Sequence, residues 1–243
     1  MATLTKKVLL FIVEGQSDAA ALENVMQQIL RPCKIRFHVV GADVTTRKQP
    51  PGRTIKTAVN EVVRGFMEMY RLRQGDLLGV AHLMDTDGAF VPASAVVEDP
   101  MADGFKYTTT AISAKSKQAV IDRNTLKSQQ MLFLAGMGKT YKGIPYKAYF
   151  CSRNLEHALH DITGDCTAAE KIRLADSFHE RYCGNPADFV AFISTVPPAV
   201  PENAYKASWD YISAKGTLRS LERGCNLHIL VQEFLADSTG EAK

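Results

Sequence analysis

Residues Val8-Leu9-Leu10-Phe11-Ile12-Val13 form an apolar run with no polar alternation. A short run of this kind reads as a strand buried on both faces, which requires a sheet covered by helices on both sides. The carboxylate of Glu14 follows at once, then Gly15, then Ser17-Asp18 at the head of an apolar-periodic segment. Ser17 has the chemistry of a helix N-cap. Glu14 is expected at the carboxyl end of the strand, the edge of an open α/β sheet where ligands bind. A second run, Leu77-Leu78-Gly79-Val80-Ala81-His82-Leu83-Met84, ends in Asp85-Thr86-Asp87-Gly88. Two buried strands that both end in carboxylates point to a magnesium site, because magnesium takes oxygen ligands and retains several waters.

The rest of the chain alternates strand and helix through its first half. The pattern predicts a strand over Lys7 to Val13 and a helix over Ala19 to Leu30, with Ala20, Leu22, Val25, Met26, Ile29 and Leu30 as its apolar face and Arg31-Pro32 as its stop. A strand over Ile35 to Val40 follows, ending in Gly41-Ala42-Asp43, and then a long helix over Ile55 to Arg73. Further strands are expected over Leu77 to Met84, Phe105 to Ile112 and Pro145 to Phe150, with a helix over Ser113 to Leu134. From Leu155 the chain reads as helical: Leu155 to Ile162, Ala168 to Tyr182, Asp188 to Ser194, Ala204 to Ala214 and Leu227 to Leu235. Val196-Pro197-Pro198-Ala199-Val200-Pro201 is a stiff connector, and the tail after Ala236 is expected to fray. The expected fold class is α/β, a mostly parallel sheet flanked by helices over residues 1–150, with a helical C-terminal part over residues 151–243 packed on it.

Hydrophobic residues make up 46% of the 243 and charged residues 23%, so a sizeable core is expected. No apolar run approaches membrane-spanning length, and the run after Lys6-Lys7 is too short before Glu14 for a signal peptide; a cytoplasmic protein with no membrane partner is expected. The five cysteines, Cys33, Cys151, Cys166, Cys183 and Cys225, are odd in number and widely spread, which favours reduced thiols. The net charge of +3 permits nucleic-acid binding without demanding it. The loop Arg47-Lys48-Gln49-Pro50-Pro51-Gly52-Arg53 is either a solvated linker or a phosphate-contacting loop. The segment carrying Lys115, Lys117, Arg123 and Lys127 is a further basic surface, and Lys139, Lys142 and Lys147 are either phosphate contacts or a solvated face.

Glu14-Gly15-Gln16-Ser17-Asp18 followed by Asp85-Thr86-Asp87 resembles the TOPRIM domain of topoisomerases, bacterial primases and several nucleases, in which a Glu follows one strand and Asp-x-Asp a later one. The resemblance covers about the first half of the chain. It implies that Glu14 handles the proton on the ribose oxygen, that Asp85 and Asp87 hold Mg²⁺ (or Mn²⁺), and that Asp18 joins them as in the family's nucleases. A third stretch, Ser152-Arg153-Asn154-Leu155-Glu156, is similar to a strand, Ser, Asn-containing loop and helix-borne acid in TOPRIM nucleases of the OLD (overcoming lysogenization defect) type. That likeness makes Glu156 an additional metal ligand or a substrate-positioning acid. The implied activity is nicking or cleavage of DNA, in phage defence or a mobile element, with Arg47, Lys48, Arg53, Lys115, Lys117 and Lys139 on the backbone. No ATPase domain is present in the chain, so ATP gating would need a partner ATPase. RNA processing, and a non-catalytic metal-dependent module that docks nucleic acid or a partner, are the alternatives; a homodimer is the default assembly.

Blander readings stand beside these. Asp-Thr-Asp-Gly is good turn chemistry, and Asp18 and Glu156 are favourable first-turn acids on a helix dipole. Cys151, His157, His160 and Cys166 have no zinc-motif spacing. Gly136-Met137-Gly138-Lys139-Thr140 ends like a P-loop, but Phe133 stands where the first glycine belongs, which excludes ATP binding there.

Overall fold

The structure, a computed structural model, describes residues 7–31, 33–41, 43–198 and 204–239, with side chains as far as residue 235. Pro32, Ala42, the 199–201 part of the connector and the tail beyond residue 239 lie outside the described residues.

Strands β1 (Val8–Val13), β2 (Lys34–Val39), β3 (Leu77–Asp85) and β7 (Tyr146–Cys151) form an all-parallel sheet in the order β2-β1-β3-β7. All six residues of β1 are buried, and they divide by pleat. Leu9, Phe11 and Val13 pack with helices α1 (Gln16–Ile29), α5 (Ala168–Tyr182), α6 (Pro186–Thr195) and α8 (Leu227–Thr239), through residues such as Leu22, Phe178, Phe189 and Leu230. Val8, Leu10 and Ile12 pack with α2 (Ile55–Met69), α3 (Lys117–Ala135) and α7 (Tyr205–Ile212), through Val63, Phe66, Met131 and Trp209. The unbroken apolar run thus reflects two cores meeting across one strand.

The outer edge of β7 is closed by side chains rather than by another strand. The Tyr205 hydroxyl accepts from the Ala148 N–H at 3.1 Å, Trp209 Nε1 donates to the Ala148 carbonyl at 3.3 Å, and Asn226 Oδ1 accepts from the Phe150 N–H at 2.7 Å. Buried backbone groups need partners, and these residues from the C-terminal part supply them, which removes a pairing edge.

Several boundaries differ from expectation, each for a local reason. The first helix starts at Gln16 with Gly15 as N-cap, not at Ser17, because the Asp18 carboxylate accepts the Gly15 N–H at 2.9 Å. Ala20 is exposed, and Ala19 and Ala21 are the buried alanines. The second helix ends at Met69 instead of Arg73: Arg71 is left-handed (φ 54°) and the Leu72 N–H returns to the Met67 carbonyl at 2.8 Å, a Schellman closure. The strand expected over Phe105 to Ile112 is two short pieces, β5 (Lys106–Tyr107) and β6 (Ile112–Ala114), which with β4 (Val96–Glu98) form a separate small sheet in the order β4-β6-β5. Thr108 Oγ1 accepts the Thr110 and Ala111 N–H groups at 3.2 and 2.9 Å, so the threonine run is a turn despite its β propensity. Ser113 therefore lies in β6, and Ser116 caps α3 by accepting the Ala119 N–H at 3.2 Å. The short helix α4 (Leu155–His160) follows β7.

Candidate functional site

Because the four strands of the main sheet are parallel, their carboxyl ends share one edge. Glu14 follows β1, Asp85 closes β3, Asp43 lies shortly after β2, and Ser152-Arg153 follow β7. The Asp85 N–H donates to Glu14 Oε1 at 3.3 Å, tying the ends of β1 and β3 together. Beyond β3 the backbone stays paired with the chain leaving β7: the Thr86 N–H bonds the Cys151 carbonyl and the Asp87 N–H bonds the Arg153 carbonyl, both at 2.9 Å. Thr86 is buried, and its Oγ1 accepts the Arg153 N–H at 2.8 Å. Asp87 itself is left-handed (φ 45°), so the alternation of the strand stops at Asp85. The turn, not the pleat, aims Asp87.

That turn directs Asp87 at Lys127, whose side chain is wholly buried. Lys127 Nζ lies 2.6 Å from Asp87 Oδ2 and 2.6 Å from Asp43 Oδ2. One turn earlier on α3, Arg123 Nη2 donates to the Asp87 carbonyl at 2.6 Å and Asn124 Nδ2 to the Gly88 carbonyl at 3.1 Å. Asp43 is fixed from its own loop as well, accepting the Thr45 N–H at 2.7 Å and the Thr45 hydroxyl at 2.5 Å. On the far side of the edge, the buried Glu156 of α4 meets Lys171 of α5 at 3.2 Å.

The carboxylates are under electrostatic strain. Burial pushes Glu14 up to about 8; Lys127 opposes this, while Asp43 and Asp87 add to it. Burial raises Asp18 to about 6, opposed by the Gly15 amide and assisted by Glu156. Burial, then Glu14, Asp18 and Asp87, hold Asp85 well above the usual carboxylate range. Asp43 goes the other way: burial would raise it, but the Lys127 ammonium and the two Thr45 donors outweigh that. Lys127 is held above its ordinary value, because Asp87, Glu14 and Asp43 outweigh its burial.

The structure thus brings Glu14, Asp18, Asp85 and Asp87 within one electrostatic cluster, with Glu156 joined to it through Asp18. Of the basic residues named from sequence, Arg47 and Lys48 are exposed on the loop after Asp43, and the Arg47 carbonyl accepts from Gln130 Nε2 of α3 at 3.1 Å, which sets the loop against the helix that carries Lys127. Arg53 is ion-paired with Glu61 of α2. Lys115 is exposed after β6, and Lys117 opens α3, its N–H reaching Glu98 Oε2 at 3.4 Å. Lys139 is a correction: it pairs with Pro145 just before β7 begins, at the amino edge of the sheet, away from the carboxylates.

One site residue, Asp43, escaped the sequence reading, and Lys127, expected on a basic surface, is wholly buried instead. Asp43 carried the signal used for Glu14 and Asp85, an acid after a strand, but was read only as a strand end. Lys127 had no such signal, because a lysine in mid-helix reads as solvated until the fold encloses it. Of the residues of the zinc alternative, Cys151 Sγ faces Cys225 Sγ at 3.4 Å and the His160 ring packs edge-on against Phe178.

Among the described residues, no three His, Cys, Asp or Glu side chains stand as a ready-made metal-ligand group. The chemistry of the donors nevertheless suits a hard cation. They are all carboxylates, and Glu14, Asp18 and Asp85 are raised first by burial and then by neighbouring acids, which an added cation would offset. No family model matches the chain, and no curated protein and no solved structure matches it.

Proposed function

We propose that this chain is a TOPRIM-like, Mg²⁺- or Mn²⁺-dependent nuclease that nicks or cleaves DNA at the carboxyl edge of its parallel sheet. The observation that carries the reading is the convergence of Glu14, Asp85 and Asp87 at the ends of two adjacent central strands with Asp18 in the first turn of α1, three of the four proton affinities being raised by burial and by neighbouring acids. Carboxylates crowded this way are a recurrent feature of sites that work on charged substrates. The Glu and Asp-x-Asp positions on neighbouring strands are those of the TOPRIM resemblance.

Asp85 and Asp87 would hold the cation, with Asp18 and Glu156 placed to extend the set. A bound divalent cation supplies charge neutralisation at the phosphate and aligns the attacking and leaving oxygens. Glu14, at the same edge and tied to Asp85, is placed to pass a proton to the departing ribose oxygen. Lys127 holds Asp87 and Asp43 in place from beneath. Arg47 and Lys48, on the loop tied to α3, are positioned to meet the backbone of a bound strand.

The test is incubation of purified protein with supercoiled plasmid and Mg²⁺ or Mn²⁺, beside Glu14→Gln and Asp85→Ala. Nicking or linearisation by the parent alone is expected. Equal activity in all three overturns the assignment. Cleavage confined to structured RNA moves the substrate to RNA, and metal-dependent binding without cleavage leaves a non-catalytic module.

A further inference from the structure

The acids at the carboxyl edge are not equally open to a metal. At one flank Lys127 Nζ stands between Asp43 Oδ2 and Asp87 Oδ2, 2.6 Å from each. The other Asp43 oxygen, Oδ1, is taken by the Thr45 N–H at 2.7 Å and the Thr45 hydroxyl at 2.5 Å. Asp87 meets Lys127 through Oδ2, so Oδ1 is the oxygen left for a further cation. At the other flank Lys171 Nζ lies 3.2 Å from Glu156 Oε1. Between the flanks, Glu14 Oε1 accepts the Asp85 N–H at 3.3 Å and Asp18 Oδ2 the Gly15 N–H at 2.9 Å, donors that carry no full charge.

Sites that clamp a phosphate between two metal ions hold them about 3.5–4 Å apart and bind each through oxygens such as these. A metal ion bridging Asp43 and Asp87 would need the place where the Lys127 ammonium stands, and the two cations cannot occupy it together. The lysine side chain is wholly buried, and its helix is tied to the same turn, Arg123 Nη2 to the Asp87 carbonyl at 2.6 Å and Asn124 Nδ2 to the Gly88 carbonyl at 3.1 Å. Displacing the ammonium would therefore mean moving α3. We infer that Lys127 is a built-in cation in the place of a second metal, so that the edge takes one divalent ion, at Glu14, Asp18, Asp85 and Asp87 Oδ1. Asp43 then serves the lysine and not the metal. The fixed ammonium contributes positive charge beside the phosphate whatever the metal concentration.

A single-ion edge rests on the metal-dependent reading proposed above, and the test separates the two. Mn²⁺ bound to the EDTA-stripped full chain is counted at pH 8 from the electron paramagnetic resonance signal of the free ion, for the parent, Asp85→Ala, Asp43→Asn and Lys127→Met. The parent should bind one ion per chain, and Asp85→Ala should weaken it by about tenfold or more. Asp43→Asn should keep the one ion, because both Asp43 oxygens are engaged elsewhere. Lys127→Met should bind two, the second between Asp43 and Asp87, and Mn²⁺ should raise its melting temperature by more than it raises the parent's. A lysine with a merely structural role would leave both readouts at the parent's level. Two ions in the parent would overturn the single-ion edge and leave the metal-dependent reading standing; none would overturn both. Loss of the ion in Asp43→Asn, or a folded Lys127→Met that binds only one, would overturn the assignment of Lys127. Asp43→Asn and the parent keep the test decisive without a folded Lys127→Met.

Discussion

Replacing Lys127 with Met keeps most of the side-chain volume and removes a positive charge that touches Asp43 and Asp87 together. In the parent, both carboxylates lie 2.6 Å from a fully buried ammonium. Removing one partner of a buried ion pair costs about 3–5 kcal/mol, chiefly because the charge left behind has no compensation. The Asp43 and Asp87 side chains are 16% and 29% exposed, so water can partly replace the lysine. The expected loss is therefore toward the lower end, about 3 kcal/mol at pH 8. For a chain of this size that corresponds to roughly 6–12 °C in melting temperature.

The pH dependence separates electrostatics from packing. In the parent, Asp43 is held below its ordinary value, so its contribution is present above the unfolded pKa and is lost only as pH falls through the lower folded one. Without the lysine, burial and the neighbouring acids would raise Asp43 and raise Glu14 further. The variant would then take up protons on folding and lose stability as pH rises. The gap between parent and variant should widen from pH 5 to pH 8. Urea unfolding with EDTA present, followed by the fluorescence of Trp209, the sole tryptophan and buried against Phe150, reads both quantities. Equal stability at pH 8, or a gap that does not change with pH, would refute the argument.

Other substitutions probe the remaining parts of the structure. Glu14→Gln removes a carboxyl whose folded value, about 8, lies above its ordinary 4.5; metal-free parent stability should fall as pH rises through that window, so urea midpoints should favour the variant increasingly between pH 5 and pH 8. Asn226→Ala leaves the Phe150 N–H buried without its 2.7 Å acceptor and should cost about 2–3 kcal/mol in urea unfolding. Gly88→Ala forces a side chain into a left-handed position (φ 71°) and puts its Cβ 2.6 Å from Ile112 Cδ1, whereas Gly104→Ala meets only the conformational cost (φ 82°, nothing within 4 Å). Gly104→Ala should cost about 1 kcal/mol and Gly88→Ala about 1 kcal/mol more, compared by denaturation midpoints.

Much of the main sheet was legible because its signals are local. The run Val8 to Val13 has the composition of a strand buried twice over, and the apolar stretches Leu77 to Met84 and Pro145 to Phe150 each end one residue short of the observed strands β3 and β7. The small sheet was not legible. Its strands are two or three residues long, below the length at which periodicity means anything, and the threonines that looked like strand residues serve a turn through their hydroxyls. The end of α2 was missed because a Schellman closure at a non-glycine residue leaves no compositional mark.

By itself, the order of residues determined which carboxylates could meet. Acids directly after buried parallel strands must arrive at one edge, since every such strand points the same way. Glu14 and Asp85 follow from that rule, and Asp43 would have followed had it been applied to β2. Only the tertiary structure decided how those acids are held. The left-handed turn at Asp87 and the packing of α3 bring Lys127, distant in sequence from both partners, between Asp43 and Asp87. Its burial reverses the meaning of a mid-helix lysine, because a charge removed from water persists only where opposite charges surround it. The strain on Glu14, Asp18 and Asp85 likewise depends on burial and on distances between segments far apart in the chain, which no local pattern encodes.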